Sequence, residues 1–131
     1  MAAGELTDDD EIVEHYLEWC EAEDAQQSDT APAKAWTVMA DLADDDPERA
    51  WTLLLRVIAR ADFDGGALCS AGADCLENLF RAHGPRFIER IEERARQDPK
   101  FRQALACVWE MKSPLRPRVD QLLSDLGQPR L

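Results

Sequence analysis

The chain has 131 residues, 45% of them apolar and 32% charged, with a formal net charge of −12. That length and apolar content suffice for a buried core, which excludes a disordered acidic tail, and the negative field disfavours nucleic acid and anionic membranes as direct partners. Residues 1–48 hold sixteen Asp or Glu against Lys34 alone, a balance of −15, whereas residues 49–131 hold eleven acids against fourteen Lys or Arg, a balance of +3.

The start MAAGELTDDD has acid where a secretion signal needs a basic patch and an apolar stretch, so the sequence reads as a cytoplasmic protein without a membrane span. An acidic first helix is expected over 9–23, capped by Thr7 or Asp8, with acids in the first turn where the helix dipole is positive. Ile12, Val13, Tyr16, Leu17 and Cys20 share one face of it, and Asp10, Glu11, Glu14, Glu18 and Glu21 lie opposite. Residues 24–31 read as a loop. Pro32 suits a first helical turn, and AKAWTVMADLA puts Trp36, Met39, Ala40 and Ala43 on one stripe.

Asp46 caps the next helix, with Pro47 in its first position, and ERAWTLLLRVIARA gathers Ala50, Leu54, Val57, Ile58 and Ala61, flanked by Trp51 and Leu53. DFDGGALCSAG has the glycines of a turn, either plain or enclosing a short helical turn. The helix ADCLENLFRAH buries Leu76, Leu79 and Phe80 and is expected to end at Gly84 in a left-handed cap. Pro85 restarts the chain with Phe87, Ile88, Ile91 and Ala95 inward. Asp98 and Pro99 then repeat the Asp-Pro start, and Phe101, Leu105, Val108 and Trp109 share one side of a helix that closes a core over 32–112. After SPLRP, a last helix over 117–126 ends at Gly127.

No segment alternates with period two, so the fold class is all-α: a compact bundle of six or seven helices in a single domain over 1–131. Met39, Ala43, Pro47 and Leu53 recur as Ile91, Ala95, Pro99 and Leu105 at a spacing of 52. Either a common helix start recurs by chance, or antiparallel helix pairs stack in a short solenoid-like, HEAT-like array.

DPERAWTLLL, AGADCLENLFRAHG and IERIEERARQDPKFRQALACVW together resemble a bacterial family of helical domains of unknown function. The likeness covers about residues 35–110 and rests on an Asp-Pro-Glu-x-Ala-Trp helix start, a Leu-Glu-Asp-Leu segment ending in His-Gly, and an Asp-Pro-x-Phe-Arg helix ending in Val-Trp. Asn78 stands where that family often has Asp, which weakens a metal-ligand or acid-catalyst role there. The resemblance implies a helical fold and a bacterial origin, and no mechanism.

Metal chemistry lacks its spacing. Five residues separate Cys69 from Cys75 and the only histidines are His15 and His83, so no zinc pattern assembles in sequence, although a spatial cluster of Cys69, Cys75 and His83 stays open. Asp62 and Asp64 imitate a calcium loop, yet Ala67 and Ala73 stand where its glycine and glutamate belong. Glu11 and His15 lie on the wet side of their helix, unlike a di-iron pair, and DGGALCSAG lacks the lysine of a phosphate loop. The four cysteines are expected as reduced structural thiols, His83 as a helix-end residue, and Glu77 as a half-buried group or a partner of Arg81. No catalytic residue, metal or cofactor is assigned, and the chain reads as a non-enzyme.

What remains is the acid. A solvated helix face is the plain explanation, but so dense a charge repels itself, and Trp19 and His15 sit at the border of the apolar and acidic faces, where a binding anchor belongs. The candidate partner-binding residues are Asp10, Glu11, Glu14, His15, Glu18, Trp19, Glu21, Asp44, Asp45, Asp46 and Glu48. They suit salt-sensitive capture of a basic protein, as by an immunity protein or antitoxin that occludes a nuclease toxin. The alternatives are a phage-encoded nucleic-acid mimic that blocks a DNA- or RNA-binding machine such as a CRISPR complex, and a self-associating scaffold. In the scaffold, the stripe Arg86, Arg90 and Arg94 meets the acidic helix of a second copy in a homodimer, unless that stripe is simply solvated among Glu89, Glu92 and Glu93.

Overall fold

A computed structural model describes residues 8–21, 30–63, 66–108 and 115–128. Its elements are α1 (Asp9–Glu21), α2 (Ala31–Asp45), α3 (Pro47–Arg60), α4 (Ala67–Ser70), a π-helical turn (Ala71–Leu76), α5 (Glu77–Gln97), α6 (Pro99–Ala106) and α7 (Arg116–Asp125). The fold is an all-α bundle. Thr7, Trp109 and the side chain of Glu21 lie outside the described residues.

Local chemistry sets the helix ends. Side-chain oxygens of Thr30, Asp46 and Asp98 accept backbone N–H bonds from Ala33 (3.3 Å), Arg49 (3.3 Å) and Lys100 (3.0 Å), each at the first turn of a helix that has Pro in its first or second position. Asp8 does the same for Asp10 at 3.2 Å. At the far end, Gly127 adopts φ +70°, and the N–H groups of Gly127 and Gln128 return to the carbonyls of Ser124 (3.1 Å) and Leu123 (2.9 Å), a Schellman closure of α7.

The two Asp-Pro corners are built alike. Asp46 ends α2 by donating to Leu42 and starts α3, and Asp98 ends α5 by donating to Arg94 and starts α6. α2 packs on α5 and α3 on α6, so the two helix pairs lie side by side. Met39, Ala43, Leu53, Ile91, Ala95 and Leu105 are all buried, so the echo in the sequence marks equivalent core positions; Pro47 is buried and Pro99 is exposed. α1 packs across α2 and α3 and buries Ile12, Val13 and Tyr16. α7 is tied to α5 by a two-point bond from Arg118 to Glu92 (2.7 and 2.6 Å), whose side chain is only 12% exposed.

Several expectations need correction. Ala35, rather than Trp36, is the buried residue at the start of the α2 stripe, and Trp36 is left 37% exposed. Gly84 makes no left-handed cap: among the described residues Gly127 alone has a positive φ. The helix instead runs on to Gln97 through a kink at His83 (φ −141°, ψ 25°), just before Pro85, whose ring cannot donate to the preceding turn. Gly84 is small for packing, since a Cβ there would lie 2.9 Å from Leu115 Cδ1. The glycine-containing stretch before α5 is largely helical and passes through the π turn, where the Glu77 N–H reaches back five residues to the Gly72 carbonyl. Gly72 suits that close approach, because a Cβ would fall 1.9 Å from the Ala104 carbonyl oxygen.

The four thiols are not all reduced. Cys69 and Cys107 form a disulfide between α4 and the end of α6, with Cα atoms 5.1 Å apart and 38 residues of sequence separation. Cys20 and Cys75 are outside any disulfide, and burial pushes the Cys75 thiol up to about 12. The disulfide also removes Cys69 from the open cluster with Cys75 and His83, and among the described residues no group of His, Cys, Asp or Glu could hold a metal ion. No described helix is long and apolar enough to cross a membrane.

Candidate functional site: an acidic face with a tryptophan pair

The structure divides the acidic residues into two groups. The first turn of α1 faces α3, where Asp9 accepts two bonds from Arg49 (2.6 and 3.0 Å) and Asp10 pairs with Arg56. At the corner, Glu48 takes Arg86 (2.9 Å) and Arg90 (2.7 Å); the bond from Arg90, helped by Arg86, holds its carboxyl below the usual range. Asp46 is the cap of α3. Asp10, Asp46 and Glu48 are thus engaged within the chain, and so is the basic stripe, since Arg94 pairs with Asp98 at 3.3 Å.

The second group faces solvent. Glu11, Glu14 and Glu18 are exposed on successive turns of α1, and Asp44 and Asp45 are exposed at the end of α2. His15 Nδ1 lies 3.3 Å from Glu18. Arg81, considered as a partner for Glu77, donates to Asn78 Oδ1 at 2.5 Å. His83 has a role that sequence spacing did not show: its Nε2 donates to the backbone carbonyl of Asp44 at 3.1 Å, satisfying a carbonyl at the C-terminal turn of α2 instead of its own helix. The kink at His83 accompanies this contact between the two helix pairs.

Trp19 is half-buried and stacks on Trp36, with ring centroids 5.5 Å apart and planes at 22°. Tyr16 lies beneath, 6.3 Å from Trp19; its hydroxyl donates to the Ser70 carbonyl at 3.3 Å, and burial, with Cys20, Cys75 and Asp74 nearby, holds it un-ionised well above the ordinary tyrosine range. Burial raises the Asp74 carboxyl, on the π turn; the nearby Trp36 side chain partly offsets this, and the neighbouring charge of Glu77 raises it further. Trp36 and Asp74 were absent from the residues singled out by sequence. Trp36 falls on the apolar stripe of α2, and Asp74 comes near it only through the register of the π turn, for which Gly72 within a helical run is the one visible sign.

The site therefore has two ends. Trp19, Trp36 and Asp74 sit where α1 finishes and α2 begins; Asp44 and Asp45 sit where α2 finishes, a rise of about 14 Å along the helix. The exposed carboxylates of α1 belong to the helix that packs against α2. Such a surface offers carboxylates and an aromatic anchor.

A model of a family of unknown function (DUF6869) matches residues 21–125. The chain belongs to that family. The matched span contains Trp36, Asp74 and both Asp-Pro corners, and of α1 it includes only Glu21. No curated protein and no solved structure matches the chain.

Proposed function

We propose that this protein is a non-catalytic binding protein whose acidic face docks a basic protein, in the manner of an immunity protein or antitoxin that covers the basic active site of a toxin such as a nuclease. The observation that carries the reading is the division of the acid. Asp9, Asp10 and Glu48 have cationic partners inside the fold, whereas Glu11, Glu14, Asp44 and Asp45 are exposed and form no ion pair among the described residues. Like charges held together on one surface repel, and a basic partner removes that repulsion while gaining a long-range attraction that speeds encounter.

The self-associating alternative is less well supported, because Arg86 and Arg90 are already bonded to Glu48 and Arg94 to Asp98. The test is co-purification from the native host at low and high salt, with the wild type beside a variant carrying Glu11→Gln, Glu14→Gln, Glu18→Gln and Asp44→Asn. A basic protein held by the wild type at low salt, released by salt and not retained by the variant supports the reading. Identical partners for both proteins refute it.

A further inference from the structure

We propose that Cys69 is a thiol-exchange site for a dithiol reductant, and that opening its bond to Cys107 releases the second half of α1. The step from there to partner docking rests on the proposed function, since that half carries the exposed Glu14 and Glu18. The two sulfurs are unequally placed. Cys107 is 0% exposed at the end of α6, whereas Cys69 is half-buried on α4, so an external thiolate meets Cys69. A thiolate of the reductant attacks Cys69 Sγ, and the electron pair of the broken S–S bond leaves on Cys107 Sγ, which takes up a proton. The second thiol then attacks the reductant's own sulfur in this mixed disulfide, closing the reductant's disulfide while Cys69 leaves as a thiolate and is protonated. Two electrons pass to the protein and the dithiol is oxidised.

The bond holds a segment that does little to hold itself. α4 is a single turn of four residues whose N-cap, Gly66, makes no side-chain bond, and so short a helix gains almost nothing from its own hydrogen bonding. Its place is set by burial of Ala67 and Leu68, by packing on α6 and by the tie to Cys107. The residue after Cys69 is Ser70, whose carbonyl accepts from the Tyr16 hydroxyl at 3.3 Å. Tyr16 is fully buried, so its hydroxyl has no water to turn to when that carbonyl moves, and a buried donor without an acceptor is costly. The first turn of α1 is fastened elsewhere, to α3 through the pairs of Asp9 with Arg49 and Asp10 with Arg56. Loosening α4 therefore acts on α1 from Glu14 onward. The oxidised protein presents that half as a fixed helix; in the reduced protein it frays, and a partner must order it on binding.

The experiment compares amide hydrogen exchange, read by mass spectrometry well below the melting temperature, in the full chain before and after dithiothreitol, for the wild type, Tyr16→Phe and the double variant Cys69→Ser/Cys107→Ser. Reduction should speed exchange in the second half of α1 about five-fold, the worth of one hydrogen bond, and leave α7 unchanged. The double variant should show the faster exchange without reductant and ignore it. Tyr16→Phe, in which the link to Ser70 is already cut, should exchange fast in α1 when oxidised and gain little on reduction. Brief treatment with glutathione followed by N-ethylmaleimide should place glutathione on Cys69 and the alkyl group on Cys107. No change in α1, an equal rise in α1 and α7, a full response in Tyr16→Phe, or glutathione on Cys107 overturns the inference. These readouts need no partner, so the acidic-face reading stands or falls separately, by the co-purification.

Discussion

Replacing Gly72 with alanine sets two opposing effects against each other. Gly72 lies in helical backbone, where alanine is intrinsically better by about 1 kcal/mol, so at an open position the change would stabilise. Here the new Cβ would lie 1.9 Å from the Ala104 oxygen, 2.8 Å from its carbonyl carbon and 3.3 Å from its Cα, and all three are backbone. No rotamer change relieves that overlap. The π turn and α6 must part by more than an ångström, loosening the packing of Ala71, Cys75, Ala104 and Leu105, which are all buried.

Overpacking of this kind costs about 3 kcal/mol or more, so after the propensity gain the net loss is about 2 kcal/mol. With an unfolding entropy of roughly 2 cal/mol/K per residue, a chain of this length loses about 7 °C in melting temperature. Thermal unfolding followed by circular dichroism reads the shift, and two other glycines serve as controls. Gly84→Ala meets the movable Leu115 Cδ1 at 2.9 Å and should cost less; Gly66→Ala meets only the Cys20 carbonyl oxygen at 3.6 Å and should cost least. A Gly72→Ala protein that melts within 2 °C of the wild type, or above it, refutes the argument that this glycine is needed for close approach.

Asp74 predicts a pH effect of unusual sign. Its folded carboxyl holds a proton more tightly than the unfolded one, so the native state gains protons relative to the unfolded state and stability falls as pH rises from the ordinary carboxylate range through the raised value. Asp74→Asn should remove that fall and be neutral or stabilising at pH 7; a clear loss of stability at pH 7 counts against the assignment. The cysteines give a chemical test: at pH 8 a thiol reagent should modify Cys20 in the native protein and spare Cys75, whose pKa is about 12, until the chain is unfolded. Cys69 and Cys107 should react only after reduction, and reduction, by freeing a 38-residue loop, should lower stability by about 4 kcal/mol; four reactive thiols in the unfolded, unreduced protein would show the bond absent.

The helices were legible because their signals are local. An Asp or Thr oxygen reaches an N–H two or three residues away, Pro accepts the first turn, and an apolar stripe needs no knowledge of what covers it; hence α1, α3, α6, α7 and both Asp-Pro corners lie close to where the residue pattern puts them. The fate of each charge was not legible. Glu48 and Glu14 look equivalent in sequence, yet Glu48 meets Arg86 and Arg90 some forty residues away, while Glu14 meets solvent. The disulfide is of the same kind, since Cys69, Cys75 and Cys107 are indistinguishable until α4 is laid against the end of α6.

By itself, then, the sequence determined that the chain is helical, where most helices begin and end, which residues form the core, and that negative charge gathers in its first third. Tertiary structure alone decided which carboxylates are neutralised, that His83 serves another helix, that Gly72 admits the α6 backbone, and that Trp36 is left exposed. The physical reason is one of range: caps and stripes are settled within a turn or two of the chain, whereas pairing, burial and exposure depend on which segments packing brings together from tens of residues apart.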